Sequence, residues 1–282
     1  MAMTVGFDWG NNEVKVAGPI GLDKFSSQIG EYTERNLESQ HGKDDMVFEY
    51  KGRKGFAGTL ALESDFGGAI MGDTKAHEDA LIRVLLGLHR YSNSAEYNII
   101  VGQPIAKHTP GEKQAIKEMI EGRHTIVVND KVRTFTIKRC EVAAEGGAAF
   151  WSAPCDGMVR IIDVGSATVN CASIINKKYL NKDSFTLSFG MNTIRNHDLT
   201  ELARGIARET SKRWKKGDKV LLVGGIAEQL AEPIRAHYPH AEIIKPVLKE
   251  GNGMKIVKPI YANAVGFYNI GRATYGEQRF SN

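Results

Sequence analysis

Val159-Arg-Ile-Ile-Asp163-Val-Gly165-Ser-Ala-Thr168-Val-Asn-Cys-Ala-Ser-Ile174 decides the fold class. An apolar run ends on an aspartate, a glycine-containing turn reverses the chain, and a second apolar run returns. About 155 residues earlier, Thr4-Val-Gly-Phe-Asp8-Trp-Gly10-Asn-Asn-Glu-Val-Lys15-Val-Ala17 has the same layout. Either turn alone is commonplace in β proteins. Two matched copies in one chain point to an internal duplication.

The flanking sequence repeats as well. In the second half the pattern predicts a third strand around Tyr179 to Phe189 and a helix from about Asn192 to Lys212, with Ile194, Leu199, Leu202 and Ile206 near helical spacing. Strand Lys219 to Val223 then runs into Gly224-Gly225, a helix begins near Ile226, strand Ala241 to Ile244 follows, and Ala262 to Arg272 reads as a final helix. The order is βββαβαβα. The first half matches it with a third strand near Phe25 to Ile29, helix Lys75 to Tyr91, strand Tyr97 to Val101, helix Gly111 to Glu121, hairpin Thr125 to Lys138 and helix Ala143 to Trp151. Between them, residues 30–74 read as a small inserted subdomain with a hairpin around Lys51-Gly52. At 282 residues the chain has room for two α/β domains, 1–150 and 151–282, with a cleft between them. Residues Gly276 to Asn282 read as a frayed end.

Composition narrows the function classes. A hydrophobic content of 42%, a charged content of 25% and 30 glycines describe a globular chain rich in tight turns. No apolar run approaches the roughly 20 residues that cross a bilayer. The opening Met-Ala-Met-Thr-Val-Gly-Phe-Asp enters a strand pattern at once, which points to the cytoplasm. Cys140, Cys155 and Cys171 lack metal-ligand spacing and read as buried free thiols. The net charge of +4 is mild. Its densest basic run, Lys212 to Lys216, sits where a helix ends, so it reads as a helix C-terminus before it reads as a nucleic-acid contact.

The chemistry belongs at the two turns. Aspartates at strand ends can face a phosphate chain only with a cation between them. Asp8 and Asp163 are therefore expected to approach one Mg²⁺ from opposite domains, through its waters, because that ion dehydrates reluctantly. The turns Gly10-Asn11-Asn12 and Gly165-Ser166-Ala167-Thr168 would cradle phosphate oxygens with backbone N–H groups. Lys15 would place its ammonium near the outer phosphates. In Leu221-Leu222-Val223-Gly224-Gly225-Ile226-Ala227 a buried strand runs into paired glycines that open a helix, where backbone can lie against a flat base and ribose.

These motifs resemble those of the actin/hexokinase/DnaK-type superfamily, and within it the actin-like ATPases of the ParM/StbA and AlfA type. Phe7 to Lys15 is similar to the first phosphate loop of that family, Asp163 to Thr168 to the second, and Val223-Gly-Gly-Ile226 to the adenosine motif. Gly55-Phe-Ala-Gly58, Val101-Gly-Gln-Pro104 and Glu141-Val-Ala-Ala-Glu145-Gly-Gly-Ala-Ala are similar to further pieces of the same branch. The resemblance implies two actin-like, ribonuclease H-like domains flanking a nucleotide cleft, and an Mg²⁺-dependent ATPase whose filaments segregate plasmid DNA through a DNA-binding adaptor. It casts Glu145, at the start of a helix bridging the domains, as the residue that orients the attacking water. A glutamate in a first helical turn also complements the helix dipole without any catalytic part. Asn170 departs from the aspartate common at the end of the second loop. Only about 30 residues separate Phe189 from Lys219, so the fourth subdomain of longer relatives is reduced or absent, as in AlfA. A small-molecule kinase of the same fold shares every phosphate motif, and GTP in place of ATP stays open.

Overall fold

The computed structural model describes residues 2–37, 39–64, 74–251 and 253–276. Part of the expected insertion and the end of the chain from 277 lie outside the described residues.

The first half opens with the meander β1 (Met3–Trp9), β2 (Glu13–Gly18) and β3 (Gly21–Ser26). The expected insertion contributes β4 (Ile29–Glu31), β5 (Met46–Tyr50) and β6 (Arg53–Ala57). Then come α1 (Glu78–Tyr91), β7 (Glu96–Gln103), α2 (Pro110–Ile120), β8 (Gly122–Val128) and β9 (Lys131–Ala144). All nine strands form one sheet in the order β3-β2-β1-β7-β9-β8-β5-β6-β4. The insertion therefore extends this sheet, through the pairing of β5 with β8. Its hairpin turns at Lys51 and Gly52, both at positive φ, as a tight two-residue connection requires. Val5, Phe7 and Trp9 pack with Leu81, Val84, Leu85 and Leu88 of α1 in the first core. That helix is capped by His77, with Glu78 and Asp79 in its first turn and Arg90 in its last, each charge placed to suit the dipole.

The second half holds β10 (Met158–Val164), β11 (Val169–Ile175), β12 (Lys178–Tyr179), β13 (Phe185–Leu187), α3 (Leu199–Thr210), β14 (Lys219–Val223), α4 (Ala227–Arg235) and β15 (Ala241–Ile243). Its sheet runs β12-β11-β10-β14-β15, with β13 also on β11. This repeats β3-β2-β1-β7-β9, and in both halves the first strand pairs antiparallel with the second and parallel with the next along. The duplication read in the two turns is thus a duplication of sheets. A hairpin, β16 (Val247–Glu250) and β17 (Gly253–Ile256), and the helix α5 (Ala262–Tyr275) end the described chain.

Three sequence expectations need correction. The third strand of the second half is two short pieces, because Asn181–Asp183 turns between β12 and β13. The helix expected from Asn192 starts at Leu199, since the Asp198 side chain accepts from the N–H groups of Thr200 and Glu201 and His197 just before it has positive φ. The helix expected over Ala143 to Trp151 does not form. Parallel pairing of β9 with β7 keeps the chain extended as far as Ala144, Gly146 takes positive φ, and only a 3₁₀ turn, Ala149–Ser152, follows. The β16–β17 hairpin was not anticipated. Between β13 and β14 only α3 intervenes, in line with a missing fourth subdomain.

Each half ends on the other. Ala149 and Phe150 join Val159, Ile161, Leu221 and Val223 in a core of the second half. Reciprocally, Ala264, Val265 and Tyr268 of α5 pack with Ala17 of β2, and Phe267 with Ile100 of β7 and Ala148. The crossing is tight enough to exclude a side chain: a Cβ on Gly266 would lie 2.0 Å from the Ala148 carbonyl oxygen. Among the described residues no helix is long and apolar enough to cross a membrane.

Candidate functional site

The two sheets turn the carboxyl ends of β1, β7, β9, β10 and β14 toward one another, the usual location of ligand sites in α/β folds. A cavity of about 500 Å³ lies there, a volume suited to a small organic ligand. Asp8, Gly10, Asn11, Asn12 and Lys15 line it from the first half; Asp163, Gly165, Ser166, Ala167, Thr168, Gly224, Gly225 and Ile226 line it from the second, with Glu145 between. Every residue singled out in the sequence for phosphate, ion, water or base is brought to this cavity.

The turns are fixed from behind, which leaves their inner faces to the cavity. In the first, the Asn11 carbonyl accepts from the Ser27 hydroxyl and the Asn12 carbonyl from the Ser27 N–H. In the second, Gly165 N–H donates to the Thr168 carbonyl at 2.9 Å, while the Gly165 and Ser166 carbonyls accept from the N–H groups of Met191 and Asn192. The Asn192 amide also donates to Asn12 Oδ1 at 3.4 Å, linking the two turns across the cleft. Gly224 has φ of 103°, and a Cβ there would lie 2.7 Å from the Val164 carbonyl oxygen, so only glycine allows β14 to turn into α4 this close to the second phosphate turn. Ile226 then caps α4 without a side-chain hydrogen bond, and the Ala227 N–H donates to the Gly224 carbonyl at 3.4 Å.

The charges are concentrated and buried. Burial pushes the Asp8 carboxyl above its ordinary value, with Lys15 opposing and Glu145 adding to the shift. Burial likewise pushes Asp163 up to about 7, opposed by the hydrogen bond from Asn263 and reinforced by Glu145 and Asp8. Lys15 Nζ is 3.8 Å from Asp8 Oδ2, and Asn263 Nδ2 is 2.8 Å from Asp163 Oδ2. Glu145 is held at both oxygens: Lys75 Nζ is 2.5 Å from Oε1, and Asn170 Nδ2 donates to Oε2 at 3.2 Å. Asn170 Oδ1 in turn accepts from the Ile105 N–H and the Thr186 hydroxyl. An aspartate at this position would set a second carboxylate against Glu145, which accounts physically for the asparagine.

Mutually repelling carboxylates at the focus of a cavity fit a cation. Among the described residues no group of three His, Cys, Asp or Glu side chains is placed to hold a metal ion, so Asp8 and Asp163 could reach one only through its waters. Gln103, buried at 1% exposure, lines the same cavity with its Oε1 lacking a hydrogen-bond partner. Sequence reasoning missed Lys75 and Asn263, and quoted Gln103 without giving it a role. The available signals were slight: a polar residue closing the apolar run of β7, and an asparagine second in the mostly apolar first turns of α5.

The family description "Actin like proteins N terminal domain" matches residues 6–147, half of the chain. The chain belongs to the actin-like proteins. Solved structures with this fold include an AlfA filament bound to AMPPNP, 24% identical with 100% of each chain covered and a TM-score of 0.74. The AlfA filament from the B. subtilis plasmid pLS32 is also 24% identical, over 94% of this chain and 97% of that one, with a TM-score of 0.76. A 15-stranded ParM filament from Clostridium botulinum is 17% identical over 96% of this chain and 99% of that one, with a TM-score of 0.76. Comparison with curated proteins returns no match. As the resemblance implied, the actin-like protein has two mixed α/β sheets in the arrangement of AlfA and ParM.

Proposed function

We propose that this actin-like protein is a nucleotide-dependent, filament-forming ATPase that segregates plasmid DNA in the cytoplasm through a DNA-binding adaptor. The observation that carries the reading is the pair of equivalent turns, Asp8 to Asn12 and Asp163 to Thr168, facing one cavity from the two halves. Likeness in fold to AlfA and ParM filaments, one of them bound to AMPPNP, supports self-association driven by nucleotide.

In this reading the turn N–H groups and Lys15 bind the phosphate chain, and the strand-to-helix turn at Gly224, Gly225 and Ile226 takes the base and ribose. Asp8 and Asp163 hold hydrated Mg²⁺, which neutralises phosphate charge. Glu145, fixed by Lys75 and Asn170, orients the attacking water and accepts its proton.

Sedimentation of the purified chain with and without Mg²⁺ and ATP tests the assignment. Polymer should pellet only with nucleotide, and Asp8→Ala and Asp163→Ala should each lose both pelleting and phosphate release. Absence of polymer across protein concentration and salt, together with phosphorylation of a metabolite, would assign the cleft to a kinase instead.

A further inference from the structure

Lys75 was not anticipated, yet its ammonium is among the most committed groups at the site. It lies just before α1, 2.5 Å from Glu145 Oε1, 3.4 Å from the Gly102 carbonyl oxygen and 5.7 Å from the centre of the Trp9 ring. Trp9 is itself fixed by its indole N–H, which donates to the same Gly102 carbonyl at 2.6 Å. The side chains of Lys75 and Glu145 are 17% and 12% exposed, both line the cavity, and Lys75 is near enough to act on the charge of Asp8. A cation and a carboxylate facing the same polyanion site compete with it: whatever phosphate enters offers the ammonium a more highly charged partner than Glu145.

We propose that Lys75 senses the terminal phosphate of a bound nucleoside triphosphate, its ammonium exchanging between Glu145 and that phosphate. The inference rests on the reading of the cleft as a nucleotide site with Glu145 as the water-orienting residue. Lys15, on β2 beside Asp8, approaches the outer phosphates from the first turn. Lys75 stands on the Glu145 side of the cavity, beside the residue assigned to the water that attacks the terminal phosphate. Once the ammonium moves to that phosphate, Glu145 keeps its Asn170 hydrogen bond but loses its cation, and its Oε1 is free to take the attacking water only when a triphosphate is in place. A diphosphate leaves the pair closed. Lys75 is thus a specificity-determining residue that couples recognition of the triphosphate to the readiness of Glu145.

Equilibrium binding of a non-hydrolysable ATP analogue and of ADP, on the full chain below its assembly concentration, tests this. Lys75→Met should weaken the analogue roughly 10-fold, the scale of one charge-assisted hydrogen bond, while changing ADP affinity by less than about 2-fold. Lys75→Arg should retain most of the preference. Glu145→Gln frees the ammonium and should tighten the analogue without tightening ADP, a gain that Lys75→Met in the same chain abolishes. Equal losses for both nucleotides in a folded Lys75→Met protein would mean a purely structural ion pair and overturn the inference, as would a Glu145→Gln gain that survives loss of Lys75. If Lys75→Met does not fold, Glu145→Gln alone decides through the ratio of the two affinities. The wider reading fails separately: normal phosphate release by Glu145→Gln removes the catalytic assignment, and absence of nucleotide binding overturns both.

Discussion

Asp163→Asn should stabilise the nucleotide-free protein while destroying its response to magnesium and nucleotide. Burial holds the Asp163 carboxyl up at about 7 against an ordinary value of 3.8. The folded chain therefore binds a proton that the unfolded chain releases, and stability falls as the pH rises from about 4 to about 7 and levels off above. At about 1.4 kcal/mol per pKa unit, the penalty of ionising Asp163 is capped at about 4 kcal/mol. Asp8 and Glu145 share in that penalty, so removing one charge should recover about 1–3 kcal/mol at pH 8. For a chain of this length that is a rise in Tm of roughly 2–10 °C. The asparagine keeps the shape and can still accept from Asn263 Nδ2. Thermal melts in chelator from pH 5 to 8 provide the assay: the variant's advantage should be largest above pH 7 and shrink toward pH 4. Addition of Mg²⁺ and ATP should raise the Tm of the parent and leave the variant unmoved. A variant less stable than its parent at pH 8, or an advantage independent of pH, would refute the reasoning.

Three further outcomes are expected. Glu145→Ala should slow phosphate release roughly 10²- to 10⁴-fold while sparing assembly, giving longer-lived filaments in light scattering followed on the same sample. With only α3 between β13 and β14, base contacts are few, and competition binding should show modest preference between ATP and GTP; discrimination on the order of 10³, about 4 kcal/mol, would contradict the open base pocket. Gly266→Ala should cost about 1–3 kcal/mol in chemical denaturation, because its methyl group would be driven into the Ala148 carbonyl and backbone cannot step aside as a side chain can.

The parts of the fold legible in the sequence are those whose cause is local. A strand that ends in Asp, turns through Gly and returns is specified within a dozen residues, so both turns and the strand into Gly224-Gly225 could be read directly. What escaped depends on distant partners. Ala143 to Trp151 has helical composition, but pairing with β7 holds its start extended, and no local pattern records that pairing. Lys75 meets Glu145 across 70 residues and Asn263 meets Asp163 across 100. Such encounters are products of topology. Asn170 shows the intermediate case: the sequence marked it as a departure, and only its bonds to Glu145, Ile105 and Thr186 explain why an amide is needed.

The reciprocal packing of Phe150 into one half and of α5 onto the other also bears on how the chain melts. Two lobes on separate cores would give two transitions. Here each lobe lends the other part of its interior, so opening one strips apolar cover from its neighbour, and loss of either propagates. A chain severed after Ser152 would leave the first fragment without α5 against Gly6 and Ala17, and the second without Ala149 and Phe150 in the core of Val159 and Ile161. Such fragments should expose apolar surface when apart and reassociate when mixed. An ancestral single copy would have faced the same exposure, and pairing with its twin is the simplest way it could have been covered before the two were joined in one chain.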